Sequence, residues 1–223
     1  MSSWRVAQTR RNASRCGLRR VLVVLLLVLV WIPAQAETQE VQPGIFVSGV
    51  PTEQFVHFAA PDGGGRQQQS NWCWAACIQM VLNYHGLYVS QQDIVTRVYG
   101  QLVDRPAHPH QILQALTGWA PDIRGRYSAV HADAQNIDEM TVIDDLHRRW
   151  PLIVGLRSLN PGEQGHAYVL TAVYYQMDQY GQPELLGFIL RDPYPGRPSR
   201  VEMGADEFLA RLSFAARVYV ERM

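Results

Sequence analysis

Residues 67–77, Gln-Gln-Gln-Ser-Asn-Trp-Cys-Trp-Ala-Ala-Cys, constrain the fold of this chain more than any other stretch. They predict a loop that runs into a buried helix, because the residues from Ala75 to Tyr84 are mostly good helix formers or apolar. Ser70 or Asn71 is the expected N-cap, and Gly86 stands where a helix usually ends. Apolar residues recur at steps of three and four, which indicates one wide buried face: Trp74, Cys77, Ile78, Val81 and Leu82.

Cys73 falls in the first turn of this predicted helix. The unpaired backbone N–H groups and the positive end of the helix dipole favour a thiolate there. A thiolate, and not a thiol, is the nucleophilic form of cysteine. The position of Cys73 therefore predicts a reactive sulfur of the kind that cysteine enzymes use.

Gln67, followed at a six-residue step by Cys73-Trp74-Ala75, resembles the papain-like cysteine proteases. In that family the glutamine donates to the oxyanion and the Cys-Trp-Ala run opens the central helix. The run from Asn71 to Ala76 is more similar to the bacterial branches, which include the leader-peptide peptidases of bacteriocin exporters and the plant-pathogen avirulence proteases. The Cys-Gly-Ser run of papain itself is absent, which argues against a close relative of papain.

The N-terminus has the pattern of a cleavable signal peptide over residues 1–36. A basic region that contains Arg10 and Arg20 precedes an apolar run, Val21 to Ile32, and Ala34-Gln35-Ala36 is a small-x-small cleavage site. The apolar run is shorter than the ~20 residues that span a bilayer. We expect export to the periplasm or the medium, with no stable membrane association after cleavage; an uncleaved signal anchor is the alternative.

Residues 37–223 are expected to form a single peptidase domain, since domains typically contain ~50–250 residues. This part holds 14 of the 20 arginines and all 20 acidic residues, so its net charge is −6, and the chain has no lysine. An acidic domain argues against nucleic acid as a partner, because phosphate binding needs a basic face. The expected partner is a peptide or protein substrate.

Two cysteines remain after Cys16 leaves with the signal peptide, and they allow alternatives. A Cys73–Cys77 disulfide is one, although helical neighbours at this step have Cβ atoms ~5–6 Å apart and a disulfide needs ~3.5–4.5 Å. A thiol redox function is another, but the spacing is Cys-x-x-x-Cys and not Cys-x-x-Cys. His108 and His110 lack a third nearby ligand, so a loop is favoured over a metal site. No cofactor is expected.

The remaining pattern predicts helices first and an antiparallel sheet afterwards. Helices are predicted at Ser90 to Tyr99, Gln111 to Leu116, Asp138 to Trp150 and Asp206 to Leu212. Strands are predicted at Leu152 to Leu156, His166 to Tyr175, Pro183 to Arg191 and Phe214 to Val220. Ile45 to Val47 and Phe55 to Phe58 are predicted to be short strands or extended arms. This order indicates an α+β fold with a helical half that carries the nucleophile helix, followed by a sheet or partial barrel. The papain-like fold has the same order.

His166 and Asp192 are the candidate base and the candidate group that orients it. A hairpin centred on Gln179 places them directly opposite each other on one face of the sheet, with Cβ atoms ~4.5–5.5 Å apart. The resemblance implies the same pair, because these proteases carry a histidine and then an Asn or Asp downstream of the nucleophile. Bacterial members often have an Asp-Pro at the third position, as in Asp192-Pro193.

These residues predict a peptidase that works through a thioacyl intermediate on Cys73, with His166 as base and acid and Asp192 holding the ring. Gln67 and the Cys73 N–H are expected to stabilise the oxyanion; Gln68 is the alternative donor. Two other functions remain open at this point: acyl or peptidyl transfer on the same Cys-His-Asp site, and a catalytically inactive papain-like binding module.

Overall fold

The computed structural model describes residues 38–135 and 137–221, which belong to one compact unit. The predicted signal peptide, residues 1–36, lies outside the described residues. No helix in the described ranges is long and apolar enough to cross a membrane.

The described residues form six helices and nine strands. The helices are α1 (Thr52–Phe55), α2 (Cys73–Tyr84), α3 (Gln91–Tyr99), α4 (Pro109–Ala115), α5 (Glu139–His147) and α6 (Ala205–Arg211). The strands are β1 (Thr38–Gln42), β2 (Ile45–Gly49), β3 (Gly118–Pro121), β4 (Tyr127–Ala134), β5 (Leu152–Leu156), β6 (His166–Met177), β7 (Pro183–Arg191), β8 (Arg200–Gly204) and β9 (Leu212–Glu221).

One antiparallel sheet contains all nine of these strands. Seven follow the order β1-β2-β6-β5-β9-β4-β3, while β7 pairs with β6 and β8 pairs with β7. The long strand β6 is its centre. It pairs with β7 along residues 169–177, and its other edge is shared by β5 at residues 166–170 and β2 at residues 172–176. The sheet does not close into a barrel within the described ranges. The α+β prediction is confirmed.

Helices cover both faces of the sheet, and each face has its own apolar core. Helices α2, α3 and α4 pack on the face that carries Ile153 and Val169. Helices α5 and α6 pack on the opposite face, which carries Val154 and Leu170. Because β5 and β6 are covered on both sides, the continuous apolar run of β5 is explained: alternate residues go to opposite cores.

Phe55 to Phe58 does not form the predicted strand. Residues Thr52–Phe55 form a short helix that is followed by turns. Phe55 is fully buried, and its ring lies 5.9 Å from that of Phe58 and 5.4 Å from that of Tyr84 at the end of α2. Burial of this aromatic cluster favours the turn that brings the three rings together over the local β-propensity.

The predicted cap of the nucleophile helix is also wrong. Trp72 occupies the N-cap position and no side chain caps the helix. Asn71 is used elsewhere: its backbone N–H donates to Asp104 Oδ1 at 2.8 Å. By contrast, the Ser90 cap of α3 is confirmed as a capping box with Asp93, and Gly100 ends that helix in the left-handed conformation.

Candidate active site

Cys73 is the first residue of α2, and two tryptophans hold the start of this helix in place. The indole N–H of Trp72 donates to the carbonyl of Val103 at 2.8 Å, and that of Trp74 donates to the carbonyl of Arg105 at 3.1 Å. Cys73 itself is 7% exposed. The helix therefore presents a nearly buried sulfur at its positive end, where negative charge is stabilised.

His166 and Asp192 form a hydrogen bond of 2.7 Å between Nε2 and Oδ1. A carboxylate can only accept, so the ring donates through Nε2–H, which leaves Nδ1 for another partner. Asp192 is 2% exposed, and its Oδ1 also accepts from the backbone N–H of Tyr194 at 2.8 Å. The ring of Tyr168 packs edge-on against the imidazole, with centroids 4.7 Å apart. The imidazole orientation is thus set from two sides.

The strand register that brings this pair together differs from the sequence-based prediction. In β6 and β7, Val169 lies opposite Arg191, so the hairpin is centred on Tyr180 and not on Gln179. Extending this register places Asp192 opposite Tyr168, and His166 is its diagonal neighbour. Two bulges, one in each strand, offset each other and leave the net register unchanged. Relative to the predicted pairing, the residue opposite Asp192 shifts by two, from His166 to Tyr168. An even shift keeps the His166 and Asp192 side chains on one face, so their hydrogen bond forms diagonally.

The pKa of His166 reflects its position between two acidic groups. Burial disfavours the charged ring and lowers the pKa, but the hydrogen bonds to Asp192 and to the Cys73 side chain, together with the negative charges of both, outweigh that effect. The pKa rises from 6.5 to about 9. The raised pKa favours the protonated ring at neutral pH, with Asp192 on one side and Cys73 on the other.

Cys77 has a different environment, although it lies one helical turn from Cys73. Both cysteines are free thiols, so the alternative disulfide is not formed. Cys77 is fully buried, and burial, reinforced by the charges of Cys73 and Asp192, raises the pKa of its thiol well above the usual range. An inert Cys77 beside a Cys73 that contacts the imidazolium does not favour a dithiol redox pair.

Gln67 lies in the same cleft as Cys73 and His166. The side chain is 6% exposed, and Nε2 donates to the carbonyls of Gln69 at 3.0 Å and Ser70 at 2.8 Å. Its Oε1 is buried and has no hydrogen-bond partner among the described residues. Both amide hydrogens are thus engaged by the loop in this state, and Gln67 donates to an oxyanion only by exchanging one of these bonds.

Gln68 is directed away from this cleft. Its backbone N–H donates to Gln91 Oε1 at 3.0 Å, and its exposed side chain accepts a hydrogen bond from the amide of Gln92. It lines a separate surface pocket together with Gln79 and Ser90. Of the two candidate donors, only Gln67 shares the cleft with Cys73.

Two clefts meet at Cys73 and His166. The first, of about 320 Å³, is mainly polar and includes Glu163, Arg197 and Arg211. The second, of about 260 Å³, is mainly apolar: its lining includes Trp74, Pro106, Pro109, Ile112, Leu156 and Phe214. The surfaces on the two sides of Cys73 therefore differ in polarity.

Arg66 is a site residue that the sequence pattern did not single out. Its guanidinium Nη1 donates to the carbonyls of Asp192 at 3.0 Å and Tyr194 at 2.9 Å, while the N–H of Gln67 donates to the carbonyl of Pro193 at 2.9 Å. These bonds join the loop before α2 to the turn after β7. Adjacency to Gln67 was the available signal, but the partners are 126 and 128 residues away in sequence.

Within residues 38–135 and 137–221, no cluster of three or more His, Cys, Asp or Glu side chains is arranged to hold a metal. His108 is the N-cap residue of α4, its backbone N–H donates to Gln111 Oε1 at 2.9 Å, and its ring stacks on that of His110 with centroids 5.8 Å apart. Both histidines lie at the start of α4, and His108 also lines the apolar cleft that contains Cys73.

The chain is similar to a number of solved structures. It is similar to the peptidase domain of Streptococcus ComA, a bifunctional ABC transporter involved in quorum sensing, with 17% identity, a TM-score of 0.48 and coverage of 71% of this chain and 96% of that chain. It is also similar to the digestive procathepsin L 3 of the Tenebrio molitor larval midgut, with 11% identity, a TM-score of 0.44 and coverage of 86% of this chain and 73% of that chain. No curated protein matches the chain.

A family model matches residues 52–220, which include every candidate site residue and most of the described sheet. The match covers well over half of the chain and is with the Peptidase_C39 like family. It confirms the resemblance to cysteine peptidases that residues 67–77 indicate. The chain belongs to the Peptidase_C39 like family and is a cysteine peptidase.

Proposed function

We propose that this protein is an exported cysteine peptidase that hydrolyses peptide bonds through a thioacyl intermediate on Cys73. The observation that carries the proposal is the position of His166, which donates to Asp192 through Nε2 at 2.7 Å and lines the same two clefts as Cys73. A nucleophile, a base and a group that orients the base are the parts that covalent acyl transfer requires.

In the proposed acylation step, the Cys73 thiolate attacks the carbonyl carbon of the scissile bond and the C–N bond breaks. His166 gives its Nδ1 proton to the leaving amine. In deacylation His166 takes a proton from water, the resulting hydroxide attacks the thioester, and the C–S bond breaks. The products are an amine and a carboxylic acid, and the thiolate–imidazolium pair is restored.

Negative charge develops on the carbonyl oxygen in both steps. The N–H of Cys73 is at the first position of α2, where helical N–H groups have no intrahelical acceptor, and Gln67 lies beside it in the cleft. We propose these two groups as the oxyanion donors. Gln67 joins by releasing the carbonyl of Gln69 or Ser70, because both of its amide hydrogens are engaged at rest.

The proposal of export is supported by the sequence of residues 1–36, with its basic region, apolar run and Ala34-Gln35-Ala36 site. Periplasmic or secreted localisation follows if the signal is cleaved. The substrate we propose is a peptide or protein with an apolar side chain placed in the cleft beside Trp74 and Ile112.

Limited alkylation tests the proposal. Residues 37–223 are treated briefly with iodoacetamide at mildly acidic pH, where a thiol with a pKa of ~8.5 hardly reacts. We expect one adduct on Cys73, its loss in His166→Ala, and Cys73-dependent cleavage of a peptide mixture. Cys77→Ala is the matched control and should label like the wild type.

Three outcomes contradict the proposal. If the protein carries no adduct and its mass is lower than that of the reduced chain by two hydrogens, Cys73 and Cys77 form a disulfide. Free thiols without an adduct indicate a binding module. Consumption of an added amine in preference to water indicates acyl transfer on the same site.

A further inference from the structure

Gln91 is the first residue of α3, and its side-chain amide is fully buried. A buried amide must find hydrogen-bond partners in the protein, because burial removes its hydrogen bonds to water. Its partners lie on a loop that precedes the candidate nucleophile, and not on its own helix. Gln91 is therefore a link between α3 and the site.

The contacts of Gln91 alternate along that loop. Its Nε2 donates to the carbonyls of Gly64 at 3.1 Å and Arg66 at 2.9 Å, and its Oε1 accepts from the N–H of Gln68 at 3.0 Å. The amide of Gln79 on α2 supplies a further acceptor at 3.1 Å. The backbone groups on both sides of residue 67 are thus held by one side chain.

The loop is held from its other side as well. The N–H of Gln67 points the opposite way and donates to the carbonyl of Pro193. Residues 64–68 belong to no helix or strand, so these contacts replace secondary-structure hydrogen bonds. The position of the Gln67 side chain beside Cys73 depends on both anchors.

We propose that Gln91 is a positioning residue that holds Gln67 in place as an oxyanion donor. This inference rests on the proposed function. Gln91 does not line the clefts at Cys73, so it acts only through the loop. Gln91 fixes the backbone on both sides of Gln67, so the Gln67 amide has only to exchange one hydrogen bond as the charge develops. Loss of one oxyanion donor costs about 10²- to 10³-fold in kcat.

The test compares Gln91→Met with Gln92→Met. Gln92 is the neighbouring residue of α3 and reaches only the exposed side chain of Gln68. A quenched fluorescent peptide that the wild type cleaves, chosen from a mixed library, is the probe. We expect Gln91→Met to lower kcat by about tenfold or more with little change in KM, because a loosened donor loses part of that effect. Gln92→Met should match the wild type.

Three further readouts separate positioning from a general structural defect. Alkylation of Cys73 by iodoacetamide forms no oxyanion, so its rate should be unchanged in Gln91→Met. In a Gln67→Ala background, Gln91→Met should cause no further loss of kcat, since both changes remove one effect. Amide hydrogen exchange of residues 64–68 should be faster in Gln91→Met than in Gln92→Met.

Additive losses with Gln67→Ala, a slower alkylation of Cys73, or unchanged hydrogen exchange each overturn the inference. If Gln91→Met does not fold, Gln91→Glu serves instead, because it keeps the shape and the acceptor for the Gln68 N–H but loses the donors to the two carbonyls. An active wild type with an equally active Gln91 variant overturns the inference alone. A wild type without Cys73-dependent turnover overturns the proposed function itself.

Discussion

Asp192 accepts a hydrogen bond from His166 at 2.7 Å, although the register of β6 and β7 places it opposite Tyr168. The bond runs diagonally across the hairpin, from His166, the first residue of β6, to the residue that follows the end of β7. Asp192 lies one residue beyond β7, and the N–H of Tyr194 fixes the carboxylate oxygen that faces the ring. The carboxylate is therefore held by the turn as well as by the sheet.

Replacing Asp192 by Asn tests the electrostatic part of this contact. An amide oxygen still accepts from Nε2–H, but the negative charge is lost, so the pKa of His166 should fall from about 9 toward 6.5. We expect kcat to fall by roughly 10- to 100-fold, since general acid–base catalysis as a whole contributes ~10²–10⁴-fold. The alkaline limb of the pH–rate profile should move to lower pH. Asp206→Asn, an exposed change in α6, is the control, and an unmoved limb contradicts the prediction.

The stability of the protein should depend on pH through His166. The folded-state pKa is raised to about 9 from 6.5, so the contribution of the charged ring is fully present below about pH 6.5 and is lost as the pH rises through about 9. The loss should be on the order of 1–3 kcal/mol of unfolding free energy, because one pKa unit corresponds to ~1.4 kcal/mol. Urea unfolding between pH 6 and pH 10 measures it. His166→Gln should flatten the profile, and an equally steep profile in that variant assigns the dependence to other groups.

Cys77 should be dispensable for activity. Cys77→Ala removes a fully buried thiol and is expected to lower the free energy of unfolding by ~1 kcal/mol through lost packing. Peptidase activity and alkylation of Cys73 should stay close to those of the wild type, whereas Cys73→Ala should abolish both. A Cys77→Ala variant as inactive as Cys73→Ala would show that the second thiol takes part in the chemistry.

Gly65 is required by close packing before the site. A Cβ at this position would lie 2.3 Å from the carbonyl oxygen of Phe58 and 2.3 Å from the Cα of Ala59, both of them backbone atoms. Gly65→Ala should therefore destabilise the fold by ~1–3 kcal/mol or more and displace Gln67. Gly204→Ala is the matched control, since no atom lies within 4 Å of the added Cβ. Equal free energies of unfolding for the two variants would contradict this account.

Several features of the site were determined by the sequence alone. Cys73 at the start of a buried helix, Gln67 six residues before it, and strands that begin at His166 and end at Arg191 all follow from local patterns, because propensity and periodicity act over a few residues. The even spacing of His166 and Asp192 places them on one face only when the strand register is even, which the two offsetting bulges preserve. The family match agrees with the interpretation of residues 67–77.

The tertiary structure decided what depends on distant partners. Asn71 stands one residue before the N-cap Trp72, where its backbone N–H donates to Asp104 Oδ1 and its side-chain amide donates to the Asp104 carbonyl, and Phe55 packs against Tyr84 from a short helix. The N–H of Gln68 donates to Gln91 Oε1 on another helix, and Gln67, not Gln68, lines the cleft with Cys73. None of these partners lies within ten residues in the sequence, so local sequence patterns do not predict the contacts. The contacts are selected by packing and by the hydrogen-bonding of buried polar groups.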